Sequence, residues 1–302
     1  MVEASIVVPA YRAERTLGRT VESLLAQELE AAYEVVVVAS ADAEDELPRL
    51  APDPRLRVIT SVPRLGAAAA LNRGASGSRG ELIAFTDADV VAPPNWLERL
   101  IEASRGDRCA AGSVLNGTPR SPAGTAEYLI QFLDLHPRRP ARTAWHGATC
   151  NLLLPRPLWN RWGPFPEDMD GGEDTLLTLR LREQGRFVFA PDAPVIHLNR
   201  TAPTAMLAHQ YRFGRFTARL ARRGRVKLRP LTSRWQLAPV AVAGRLVSTY
   251  ARVAAWYAGG RLWAFALMPL VVAGLVSWGV GLMVEGRRLD RDAPSDLARG
   301  EP

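Results

Sequence analysis

Apolar positions along the chain follow two periods. Runs such as Ile6-Val7-Val8, Val35-Val36-Val37-Val38 and Leu82-Ile83-Ala84-Phe85 are short and continuous, the pattern of strands buried on both faces. Between them, Leu17, Val21, Leu24 and Leu25 recur at helical spacing. The pattern predicts strands at 5–9, 34–38, 56–60 and 82–86, and helices at 16–28, 67–75 and 94–103. Such alternation implies an α/β fold with a largely parallel sheet sandwiched by helices. The middle is less regular, with strands near 109–115 and 148–154 around a helical stretch at 123–134 and the Pro/Arg-rich loop 137–142. A short strand at 194–196 precedes an arginine-rich helix over 203–225, in which Met206, Leu207, Tyr211 and Phe213 are interleaved.

Beyond that helix the character changes. Leu262 to Val284 contains no charged residue. At about 1.5 Å per residue it is long enough to cross a hydrocarbon core of about 30 Å. The preceding stretch, Trp235 to Ala258, is apolar but carries Arg245 and Arg252 on one helical face. A central arginine costs roughly 2.5–3.5 kcal/mol in a span, which favours a helix lying among lipid headgroups. Arg287, Arg288 and Arg291 instead favour a hairpin under the positive-inside rule. One span and a hairpin both remain open.

Charge sharpens this picture. The chain has 302 residues and a formal charge of +7, and Lys227 is its sole lysine. No Asp or Glu lies between Asp192 and Glu285, an interval with thirteen Arg or Lys residues. Arg219, Arg222, Arg223, Arg225, Lys227 and Arg229 suit an anionic inner leaflet, each contributing roughly 1 kcal/mol. A hydrophobic segment so close behind argues against nucleic acid as the partner. Cys109 and Cys150 are isolated, which fits a reducing compartment. The start, Met1 to Ala4, has no basic n-region, so no signal peptide is expected and the catalytic part should stay in the cytoplasm, at the cytoplasmic membrane.

The candidate chemistry sits at strand ends. Asp87-Ala88-Asp89 follows the strand 82–86, and ligands of open α/β sheets bind just beyond such ends. Two carboxylates there can hold Mg²⁺ or Mn²⁺ against a diphosphate, chemistry that suits cleavage of a nucleotide-sugar bond; an ordinary turn or cap is the competing reading. Glu173-Asp174 opens a helix after Gly171-Gly172. The pair either complements the helix macrodipole or supplies a proton acceptor, with the glycines letting a ligand approach. Gly74, Gly77 and Gly80 precede their strand instead of following one, so a dinucleotide motif is excluded.

Taken in order, V-V-P-A-Y, L-N-R-G, F-T-D-A-D, G-E-D-T-L-L-T-L-R-L, P-D-A-P-V-I-H-L-N-R and Q-Y-R-F-G-R resemble the family 2 glycosyltransferases, inverting enzymes of the GT-A fold, over roughly residues 4–215. The resemblance implies a catalytic domain at 1–215, with a nucleotide-binding half at 1–105 and an acceptor half at 106–215. A basic amphipathic segment at 216–260, a transmembrane helix at 261–285 and a tail at 286–302 complete the expected organisation. It implies Asp174 as the base, with Glu173 as fallback or as a holder of the acceptor. Asp89 and His197 would bind the metal, and Asp87 the ribose or a metal-bound water. Pro9, Ala10, Tyr11, Glu14 and Arg73 would line the nucleotide site. Gln210, Arg212 and Arg215 would touch the acceptor or the diphosphate, unless they belong to a membrane-facing helix. The chain departs from the family after strand 34–38, which runs into Ala39-Ser40-Ala41-Asp42 where a carboxylate is usual. Asp42 or Asp45 would substitute.

The activity implied is transfer of a sugar, with inversion, from a nucleotide-diphosphate donor to a lipid-linked or cell-envelope polysaccharide acceptor. A degenerate membrane scaffold and a nucleotidyltransferase are the alternatives; the latter usually needs a Gly- and Lys-rich loop where this chain has Ala10 to Glu14.

Overall fold

A computed structural model describes residues 2–141, 144–169, 171–222, 234–257 and 260–292, without the side chain of Asp45. The basic positions 223–229, the end of the 137–142 loop and the tail beyond 292 therefore lie outside the described residues.

Eight strands form one sheet: β1 (Ala4–Ala10), β2 (Tyr33–Ser40), β3 (Leu56–Ser61), β4 (Leu82–Phe85), β5 (Val90–Val91), β6 (Cys109–Asn116), β7 (Leu152–Pro155) and β8 (Phe187–His197). Their order is β3-β2-β1-β4-β7-β6-β8-β5. The first four are parallel neighbours, as the alternation predicts. The second half is mixed: β7 runs antiparallel to both β4 and β6, and β5 to β8. A largely parallel sheet thus holds for β1–β4 only. Helices are α1 (Leu17–Leu25), α2 (Ala67–Gly77), α3 (Trp96–Ser104), α4 (Pro122–Gln131), α5 (Arg156–Trp162), α6 (Glu173–Glu183) and α7 (Pro203–Arg222).

Pleating divides the core. Ile6, Val8, Val35 and Val37 point to the face covered by Leu17, Val21, Leu24, Leu97 and Leu100. Val7, Ile83 and Phe85 point to the other, against Leu71, Trp159 and Leu177. Gly74 sits where a Cβ would lie 2.3 Å from Val7, so this glycine serves close packing of α2 on the sheet.

Three further helices, α8 (Ala238–Trp256), α9 (Arg261–Ala266) and α10 (Met268–Arg291), form a layer on α4 and α7. Among the described residues, α10 alone is long and apolar enough to cross a membrane by length and composition. Its inner side is committed to α7. Ser277 Oγ donates to Leu207 O (2.8 Å), Trp278 Nε1 to Thr217 Oγ1 (3.1 Å), and the buried Glu285 accepts from Arg215 (2.8 Å) and Arg219 (2.7 Å). Arg245 and Arg252, expected among headgroups, face inward. Arg245 donates to Ile130 O (3.1 Å) and lies 4.5 Å over the Trp278 ring, while Arg252 pairs with Asp134 (3.2 Å). Internal carbonyls, rings and a carboxylate supplied the partners that the sequence reading sought in lipid.

Gly214 and Gly281 permit the α7–α10 approach: a Cβ on Gly281 would lie 2.0 Å from Tyr211 O. Gly281→Ala gains up to about 1 kcal/mol of helix propensity, but a backbone clash cannot be relieved by a rotamer. Overpacking of this kind costs about 1–3 kcal/mol, so a net fall in the thermal unfolding midpoint is expected.

Candidate active site

The site is built where β4 stops. Thr86 Oγ1 donates to Cys150 O (2.8 Å), and the chain turns through Asp87 and Asp89 into β5. There Val90 pairs with His197, and Leu198 N donates to Asp89 O (2.8 Å). This ladder sets His197 opposite the carboxylates: Nε2 is 3.4 Å from Asp89 Oδ1 and 3.9 Å from Asp87 Oδ2. Phe132, just past α4, backs the imidazole at a ring distance of 4.4 Å. Burial pushes the Asp89 carboxyl above its usual range, with Asp87 adding to burial and His197 opposing it. Burial also works against charge on His197, but Asp89 and Asp87 outweigh it and raise the imidazole.

These three side chains, brought together as the sequence predicts, offer ligand atoms within 4.8 Å of one another. One nitrogen and two partly exposed carboxylates, converging from two strands at a sheet's ligand-binding edge, fit a divalent cation such as Mg²⁺ or Mn²⁺.

Asp174 lies on the far side of one short turn, Thr149–Asn151. Its Oδ1 accepts from Thr175 N (2.5 Å) and Thr175 Oγ1 (3.2 Å), and its Oδ2 from Thr149 N (3.2 Å). Cys150, the next residue, holds Thr86. A single turn therefore joins Asp174 to the Asp87–Asp89 loop. Burial pushes the Asp174 carboxyl up, while His146 and the hydrogen bonds from Thr175 and Thr149 pull against it. Glu173 is buried at the wall of a separate cavity of about 530 Å³, lined also by Trp162, Phe165, Asp168 and Arg180. The glycines before it have a structural use. Gly171 (φ +134) packs on Phe216, leaving no room for a Cβ, and Gly172 (φ +80) supplies the left-handed turn that starts α6.

At the other end of the site, Pro9 and Ala10 close β1. Tyr11 Oη donates to Asp42 (2.7 Å), Arg12 pairs with the same carboxylate (3.2 Å), and Arg64 lies 4.7 Å over the Tyr11 ring. Asp42 thus stands beside the end of β1, where the carboxylate displaced from the end of β2 was sought. Arg73 donates to Ser61 (3.3 Å) and Glu14 is exposed. Arg212 is exposed on α7, but Gln210 is buried and bonded to Gln131 (3.3 Å), and Arg215 is engaged by Glu285. For Gln210 and Arg215 the contacts are internal ones, between helices, in place of the ligand contacts expected.

Sequence reading missed a cluster beside Asp174. Asp134 takes Trp145 Nε1 (2.8 Å) and lies near Arg139 (2.7 Å), Arg252 and His146 (3.7 Å). Burial opposes its charge, yet His146, Arg252 and Arg139 hold it well below the usual carboxylate range. Only the tripeptide Trp145-His146-Gly147 in an otherwise irregular stretch marked it, and its partners are far apart in sequence.

A GT-A-like sheet with an acidic pair and a histidine at its ligand edge defines a glycosyltransferase fold and site. Residues 5–150 match the family model described as Glycosyl transferase family 2. The succinoglycan biosynthesis protein ExoM of Rhizobium meliloti is 29% identical over 88% of this chain and 89% of its own length. ExoO of the same organism is 42% identical over 33% of this chain, a match that spans only 29% of that relative. Among solved structures, the mannosyltransferase PcManGT from Pyrobaculum calidifontis, in complex with GDP-Man and Mn²⁺, superposes with a TM-score of 0.59 at 19% identity, covering 94% of this chain and 87% of its own. Residues 5–150 thus carry a glycosyltransferase family 2 domain.

Replacing Asp89 by Asn or His197 by Ala should weaken Mn²⁺ binding, measured by titration calorimetry, by more than the roughly 10–100-fold typical of losing an outer-shell partner. Asp42→Ala, remote from the three donors, should leave Mn²⁺ affinity unchanged.

Proposed function

We propose that the protein transfers a sugar, with inversion, from a nucleotide-diphosphate donor to a lipid-linked or cell-envelope glycan acceptor at the cytoplasmic face of the membrane. The observation that carries this reading is the turn Thr149–Asn151, which couples the Asp87–Asp89–His197 group to Asp174. Relatives named for succinoglycan biosynthesis support a glycan product.

The geometry supports a role for each residue. Asp89 and His197, with Asp87 beside them, would hold a divalent cation, which would supply positive charge to the leaving diphosphate. Tyr11, with Arg12, Arg64 and Asp42 about it, forms a platform for the base and ribose. Asp174 receives the acceptor hydroxyl's proton as that oxygen bonds to the anomeric carbon and the bond to the diphosphate breaks. Its raised affinity for a proton suits the task, since a base is most useful when its pKa approaches the working pH. The scaffold alternative has little support from a chain that keeps Asp87, Asp89 and His197 grouped together and linked through one turn to Asp174.

Asp174→Asn should lower kcat by about 10²–10⁴-fold while leaving nucleotide binding intact. The sign of the pH effect is set by burial. Because Asp174 is raised, its protonated, inactive form persists to a higher pH than for a free carboxyl, and kcat should fall as pH drops through that raised value. His146 opposes the rise, so His146→Ala should move this acid limb to still higher pH in a kcat–pH profile. An unmoved limb would remove Asp174 from the role.

A further inference from the structure

The layer α8–α10 presents an outward face that the transfer chemistry does not use. Four observations bear on it. First, α10 is packed along α7 for most of its length, from Ser277 on Leu207 to Asp290 on Arg222. Helix α7 carries Arg212, Arg215, Arg219 and Arg222 and cannot enter hydrocarbon, so a helix bound along it cannot cross a bilayer.

Second, the outward face of α8 is uncharged among the described residues: Val240, Ala243, Val247, Ala251 and Ala254 are exposed at helical spacing. This holds because Arg245 and Arg252 are turned to Ile130, Trp278 and Asp134. On α10, Ala273, Val276, Val280 and Val284 continue the same kind of stripe. Both helices lie on α4 and pack against each other, and α10 also packs along α7.

Third, α9 makes an apolar corner between them. Leu262 is 89% exposed, with Trp263, Phe265 and Met268 beside it. Leaving such a side chain in water forgoes most of the roughly 1.5–3 kcal/mol its burial would contribute, and a tryptophan at the rim suits an interface. Fourth, charge selects the occupant. Arg261 and Arg287 border the face and are exposed, Arg288 beside them pairs with Asp292 (3.5 Å), and no carboxylate occurs between Asp192 and Glu285. A second copy would meet this basic border with its own; an anionic leaflet meets it with opposite charge.

We propose that the outward faces of α8, α9 and α10 form one in-plane docking surface that seats the enzyme on an anionic lipid leaflet, with no helix of this layer crossing it. This docking mode deepens the membrane part of the proposed function and is tested without turnover, so the transfer reading can fail or stand independently.

The test labels the full chain at Val247→Cys, Leu262→Cys and Val280→Cys with an environment-sensitive fluorophore. The native Cys109 and Cys150 are buried and leave the new thiols as the reactive ones. Phosphatidylglycerol–phosphatidylcholine vesicles should blue-shift all three positions, and lipids bearing shallow spin labels should quench them best. Pure phosphatidylcholine should bind about tenfold more weakly or worse, given roughly 1 kcal/mol per arginine near an anionic surface. Val247→Glu and Val280→Glu replace exposed side chains, should keep the wild-type thermal unfolding midpoint and nucleotide affinity, and should each cut vesicle binding by about tenfold. Deep quenching at Val280 with no response at Val247 would mean a span and overturn in-plane docking. Signals that track protein concentration, with a dimer in light scattering, would assign the face to a second copy. No response to vesicles at any position would remove lipid as the occupant.

Discussion

Everything at the site hangs on one buried amide. Asn151 accepts from Trp96 Nε1 (2.8 Å) and donates to Ser113 O and Ala193 O (both 2.8 Å), filling the space against Gly112 where a Cβ would stand. Those partners come from α3, β6 and β8. With its side-chain oxygen and nitrogen both engaged, Asn151 fixes the turn whose other two residues hold Thr86 and Asp174. A buried amide deprived of partners costs about 1–3 kcal/mol, so the turn has few alternatives to this conformation. Two carboxylate centres on separate elements thereby keep a set separation before any ligand arrives, which is the preorganisation that catalysis of charge separation requires.

The same logic extends outward from α4. Its C-terminal end presents Phe132 to His197 and, two residues on, Asp134 to Trp145, His146, Arg139 and Arg252. One chain segment thus touches the His197 imidazole, the loop beside Asp174 and, through Arg252, the C-terminal layer. Removing one partner of a buried ion cluster leaves uncompensated charge and typically costs 3–5 kcal/mol. The cluster therefore ties the orientation of α8 to the loop of Trp145 and His146, independently of the glycine contacts between α7 and α10.

Strand periods and strand-end carboxylates were legible because they are local. The runs at Ile6, Val35 and Leu82 gave β1, β2 and β4, and Asp87 and Asp89 were found by position at a strand end, whereas His197 came from the family resemblance. The mixed half was not. β7 reverses direction, β8 extends back to Phe187, and β5 is two residues long; each is set by pairing with strands far away in sequence. The Asp134 cluster was silent for the same reason. Gln210 and Arg215 were assigned ligands because a polar side chain on a helix shows its type but not the element it faces. Here each faces another helix: Gln210 donates to Gln131 while its own Oε1 stays unpartnered, and Arg215 pairs with Glu285.

Arg245 and Arg252 show what this blindness costs. Counted along the helix, the pair forbids insertion of α8 and argues for headgroup contact. Counted by direction, they leave the outer face altogether. Arg245 gives up water for a carbonyl and an indole face, a site where a delocalised, weakly hydrated guanidinium is better suited than an ammonium. Arg252 obtains a carboxylate. The sequence-level hydropathy of α8 therefore understates how apolar its exposed surface is, while that of α10 overstates how much of the helix is free to meet lipid, because Glu285, Trp278 and Gly281 are already spent on α7. Both errors have one origin. Periodicity locates a helix and its stripes, but only the packed neighbours decide which stripe is the inside.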